Sequence, residues 1–162
     1  MGNKQIRIIT EQFLVICTLQ IIFSHFLKIQ GVFPNFFLLW ILYLGWNNFE
    51  TVGLFVGFFT GFIYDFLVKG TLGLSSFLLI CIGYLNSFLP EPRYREKIII
   101  TSLFSFLYFA LLTIDPLYGF LWKKDIVIKT ALLFVLYNIF IVSLIEFWKE
   151  KRKWKRKSIS VI

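Results

Sequence analysis

Polar positions are sparse along this chain, and they divide it into six apolar segments at about 8–27, 33–46, 50–68, 72–89, 98–115 and 127–147. A bilayer crossing needs about 20 apolar residues, so the pattern predicts a bundle of six transmembrane helices. The second segment, Phe33 to Trp46, is short. At 1.5 Å per residue it covers about 21 Å, so it crosses a thinned region or is shielded by its neighbours. Pro34 suits the first turn of that helix, where a missing N–H costs nothing. Asn47 and Asn48, followed by Glu50, read as the cap and first turn of the third helix. Pro90-Glu91-Pro92 stops the fourth.

Composition narrows the class. The 162 residues are 58% hydrophobic and 16% charged, against roughly 45–50% and about 25% in soluble domains. A soluble enzyme, a disulfide-stapled secreted domain and a large transporter with an attached soluble motor are all excluded. The expected organisation is one all-α membrane domain over 1–147 and a basic cytoplasmic tail over 148–162. Cys17 and Cys81 lie inside apolar segments without partners at metal-ligand spacing, and read as small core residues. The stretch from Ile8 to Leu27 shows no signal-peptidase-like site and reads as the first span.

Charge sets the orientation. With six spans, one side holds Lys4, Arg7, Arg93, Arg95, Lys97 and the basic residues from Lys149 to Lys157, which is 12 of the 17. The other side holds Lys28, Lys69, Lys123, Lys124 and Lys129, with Lys123 and Lys124 partly offset by Asp115 and Asp125. Positive residues accumulate on the cytoplasmic side, so both termini are expected there.

The most distinctive motif places Gly53, Gly57, Gly61 and Asp65 four residues apart. Four residues advance a helix by about 400°, so the set forms a slowly winding ridge whose lack of side chains makes a groove. Two readings stay open: packing against the chain's own helices, or docking of a partner's membrane helix. Asp65 also has two readings, an interfacial pair with Lys69 and a structural turn. The sequence Gly70-Thr71-Leu72-Gly73-Leu74 predicts a tight hairpin into the fourth helix. Asn138 is read as the one amide at bilayer depth and as interhelical glue. His25, the sole histidine, reads as interfacial.

No acidic or basic residue falls in the middle third of any predicted span, which removes the usual apparatus of ion-coupled transport. No HExxH, GxSxG, Walker loop or paired-cysteine motif occurs, so neither an enzyme nor a metal or other cofactor is expected. The tail carries Lys149, Lys151, Arg152, Lys153, Lys155, Arg156 and Lys157, with Trp154 among them. Such a juxtamembrane cluster anchors to anionic lipid. Ten residues beside a membrane provide no recognition fold for nucleic acid.

The stretch from Gly57 through Asp65, then Gly73-Leu74, then Gly83-Tyr84-Leu85, resembles the central signature of the rod shape-determining MreD family. Gly57, Gly61, Asp65, Gly73 and Gly83 match that motif and Gly53 extends it, while bulky Phe stands between the glycines. The resemblance implies a non-enzymatic, multi-pass subunit of the bacterial elongation machinery in the cytoplasmic membrane. It implies association with MreC, and through it with MreB filaments, RodA and a class B penicillin-binding protein. The implied fold is similar to the six-helix substrate-binding subunits of energy-coupling-factor transporters. That likeness makes a vitamin-type importer subunit the alternative function. Such subunits dock through small-residue ridges in the first span, whereas Ile8 to Leu27 contains no Ala or Gly. Asp65, Lys69, His25 and Asn86 are the scattered candidates for an outer pocket.

Overall fold

The computed structural model describes residues 3–26, 29, 32–46, 50–66, 73–89, 92–113 and 124–159, without the side chains of 3–6, 50–52, 113, 124–127 and 152–159. Among the described residues six helices follow one another: α1 Asn3–Phe26, α2 Phe36–Trp46, α3 Glu50–Tyr64, α4 Leu74–Ser87, α5 Tyr94–Thr113 and α6 Lys124–Ile159. No strand occurs among the described residues; Ile29 and Val32 merely exchange two backbone hydrogen bonds, 3.0 and 2.9 Å, that close the turn after α1.

Their order matches the apolar segments, but several ends differ for local reasons. Helix α5 begins four residues before the apolar run, because Glu96 Oε2 accepts the N–H of Arg93 at 2.8 Å and caps the charged first turn. Helix α2 begins at Phe36, so Pro34 lies outside its first turn. Asn35 is the cap, its Oδ1 accepting the N–H of Leu38 at 3.0 Å. Helix α6 continues through Ile159, which makes the basic segment an extension of that helix. The Asn47–Asn48 cap, Lys28, Lys69, Lys123 and most of the Pro90 stop fall outside the described residues.

Helix α2 forms the centre. Phe37, Leu38, Ile41 and Leu42 are fully buried, with α1, α3, α4 and α5 packed around them. Rings continue this core outward. Phe37 meets Tyr64 edge-on at 6.2 Å, Tyr64 meets Tyr108 at 6.5 Å, and Tyr108 stacks on Phe134 at 6.2 Å. The tightest packing is between α3 and α4, followed by α5 against α6. Helix α1 leans mainly on α2.

Polar and apolar positions are inverted relative to a water-soluble domain. Gln20, Asn35, Thr60, Asp65, Asn86, Thr101, Ser105 and Asn138 are buried, while Leu14, Phe55, Phe66, Phe77, Leu103 and Phe140 are exposed. Hydrocarbon around the bundle makes this arrangement favourable, since outward apolar groups lose nothing and polar groups find partners only inside. Arg7–Phe26 and Ile128–Lys151 are long and apolar enough to cross a membrane; Phe36–Trp46, Gly53–Tyr64 and Leu74–Ser87 are apolar but shorter.

Amides hold the centre together. Asn138 is joined at depth by Gln20, Asn35 and Asn86, so it is not the sole buried amide. Gln20 Oε1 accepts the N–H of Phe36 at 2.8 Å, and its Nε2 donates to the carbonyl of Pro34 at 3.3 Å. Asn138 Oδ1 accepts the N–H of Asn35 at 3.2 Å while its Nδ2 donates to Ser105 Oγ at 3.0 Å. The entry to α2 is thereby tied to α1, α5 and α6. Gln20→Leu strands the N–H of Phe36, so it should destabilise the protein by about 1–3 kcal/mol, the cost of an unpaired buried donor. Thermal or denaturant unfolding in detergent measures it, with the exposed Thr18→Val as a near-neutral comparison.

Candidate functional site

The glycine ridge of α3 faces α4. A Cβ on Gly57 would lie 2.9 Å from the carbonyl oxygen of Leu79, and one on Gly61 would collide with the backbone of Ser76 and Ser75. Backbone cannot swing aside as a flexible side chain can, so these two positions bring the helices together only as glycine. Of the two readings of the ridge, internal packing is the one its geometry serves: α4 fills the groove at Gly57 and Gly61. Gly53 differs, with nothing within 4 Å of an added Cβ, although its own carbonyl lies 3.2 Å from a Cβ built on Gly83. Gly83 is further pressed by Ile41 Cγ2 at 3.1 Å, which locks α4 onto α2 as well.

Asp65 closes the hairpin. The α3 backbone continues through 65–66 as a wider π turn, which brings this carboxylate inward. Its Oδ2 accepts the N–H of Gly73 at 2.9 Å and of Ser75 at 3.0 Å. A carboxylate on the free N–H groups of a helix start satisfies donors that have no intrahelical partner, and the α4 dipole favours its charge. This is the structural-turn reading; Lys69 lies outside the described residues. Gly73 supports it differently. Its φ of 112° is a conformation that side-chain-bearing residues rarely adopt, and open space surrounds it, so the demand for glycine there is conformational. Ser75 then accepts from Tyr108 at 3.1 Å, which joins the hairpin to α5.

Gly57, Gly61, Asp65, Gly73 and Ser75 therefore form one joint, with Gly53 and Gly83 about one turn beyond the Gly57–Leu79 contact along the same interface. The polar candidates for an outer pocket do not converge. Asp65 is at the start of α4 and Asn86 near its end, where Asn86 Nδ2 donates to the Leu42 carbonyl at 2.8 Å; His25 is exposed at the end of α1. No group of three or more metal-ligating residues occurs among the described residues. In the basic segment, Lys149 pairs with Glu146 at 3.0 Å and lies 4.8 Å from the Tyr43 ring, and Lys151 is exposed. Arg152, Lys153, Trp154, Lys155, Arg156 and Lys157 are helical, with side chains outside the described set.

The model for the rod shape-determining protein MreD matches residues 3–151. The chain belongs to the MreD family. It is therefore a membrane protein of bacterial rod-shape determination, and the glycine, aspartate and hairpin positions that resemble the MreD signature are those that weld α3 to α4. No curated protein and no solved structure matches the chain. Gln20, Asn35, Ser75 and Tyr108 were not singled out from the sequence. Gln20 carried a legible signal, as an amide inside the first apolar segment. Ser75 and Tyr108 carried none, because small hydroxyls and tyrosines occur throughout such segments.

Two glycine substitutions should have opposite effects. Gly61→Ala forces α3 and α4 apart and should cost about 1–3 kcal/mol. Gly53→Ala meets open space and should be neutral or stabilising by up to about 1 kcal/mol, the helix-propensity difference. Parallel unfolding curves of the two variants in detergent check the contrast.

Proposed function

We propose that the chain is a non-enzymatic scaffold of the elongation complex, crossing the cytoplasmic membrane six times with both termini inside. It binds the single-span protein MreC and so helps couple MreB filaments to peptidoglycan synthesis by RodA and a class B penicillin-binding protein. The family match over residues 3–151 carries this reading. Its support in the fold is that buried polar groups are spent on holding helices together, while long apolar faces point outward.

Filling of the ridge at Gly57 and Gly61 moves the partner surface elsewhere. On the opposite side of α3, Phe55, Phe58, Phe59, Phe62 and Phe66 form an exposed aromatic stripe at helical spacing, with Phe58 touching both Phe59 and Phe62. In this reading that stripe meets a partner's membrane helix, and the glycine joint keeps it rigid. The basic extension of α6 anchors to anionic lipid at the cytoplasmic face.

Co-purification of MreC with the full chain in mild detergent tests the scaffold. Wild-type protein should recover MreC, and Phe59→Ala with Phe62→Ala should reduce recovery without changing unfolding temperature. Gly61→Leu should lose recovery and stability together. Failure of wild-type protein to retain MreC, with an ATPase-linked coupling subunit recovered instead, would overturn the reading in favour of an importer component.

A further inference from the structure

Helices α1 and α6 flank α2 without packing extensively on each other, and a groove of about 550 Å³ opens between them. Its walls are almost wholly apolar, from Phe23 and Phe36 at one end past Leu19 and Leu39. The other end holds Trp46, Glu146 and Lys149. There Lys97 and Lys149 both donate to Glu146 Oε1, at 3.2 and 3.0 Å, and Lys97 Nζ lies 5.6 Å from the Trp46 ring. Two ammonium groups against one carboxylate leave an excess positive charge and unused N–H donors. The Trp46 indole N–H at this end is buried and finds no acceptor among the described residues. Beyond it, α6 continues into the run from Lys151 to Lys157.

We infer that this groove holds the acyl chains of an anionic phospholipid, with the phosphate at the Lys97–Lys149 end. The walls and the charge name the occupant: a groove that is apolar along its length and basic at one end matches acyl chains with an anionic headgroup. Extended hydrocarbon chains fit that space, and apolar walls give them no polar group to desolvate. Charge selects the headgroup: a lone zwitterionic lipid brings its own cation to a site that already has one in excess, whereas an anionic phosphate is drawn to it. The bound lipid then completes the contact between α1 and α6 that the protein leaves open.

The test uses the full chain in nanodiscs of equimolar phosphatidylglycerol and phosphatidylethanolamine, released for native mass spectrometry. One phospholipid should survive release, with phosphatidylglycerol favoured about five-fold, the selectivity expected of one unneutralised basic residue. Leu19→Trp should abolish retention by filling the groove, and Lys149→Gln should keep the lipid but bring the two classes to parity. Should Leu19→Trp fail to fold, a photo-crosslinking residue at position 19 reports instead, giving lipid adducts where the outward position 132 gives bulk composition. Retention at the bulk ratio, or a position-19 crosslink to a protein from native membranes, overturns the proposal.

Discussion

A helix that starts inside an apolar bundle must find partners for its first backbone N–H groups, because neither water nor lipid can supply them there. Helix α2 is in that position. It is 11 residues long, and Asn35 and Phe37 at its start are fully buried among the other helices. Gln20, Asn35 and Asn138 answer this need with three side-chain acceptors from three parts of the chain. Once they do, the positions of α1, α5 and α6 around α2 are set, and the ring contacts from Phe37 to Phe134 complete the packing.

The other half of the molecule solves a related problem differently. Helices α3 and α4 approach until backbone meets backbone at Gly57 and Gly61, and the start of α4 is closed by the Asp65 carboxylate. Between helices in hydrocarbon, close approach replaces the hydrophobic drive that water would supply, since burying apolar surface from lipid gains little. Gln20, Asp65, Asn86, Tyr108 and Asn138 spend their buried polar groups on joining helices, whereas Thr60 turns its hydroxyl back onto its own helix.

Ion pairs gather at one end. Lys97, Glu146 and Lys149 connect the start of α5 to α6, and the two lysine ammonium groups lie over the rings of Trp46 and Tyr43. The apolar opening between α1 and α6 runs into this cluster. The fold thus has a closely packed half, α3–α4, and a half in which α1 and α6 leave an apolar gap.

The order of the described helices, the glycine spacing and a structural turn at Asp65, read beside the alternative of a pair with Lys69, were legible in the sequence, since each depends on local chain chemistry. Which faces turn inward was not. Core and lipid are both apolar, so hydropathy carries no phase that separates them, and only small or polar residues mark a side. Even those marks were ambiguous alone: Gly57 and Gly61 announce a close approach without naming the approaching helix. The tertiary structure decided that α4 fills the ridge, and that Asn35 and Asn138, 103 positions apart, meet at the start of α2. Such contacts depend on the whole chain closing on itself, and no local window contains both partners.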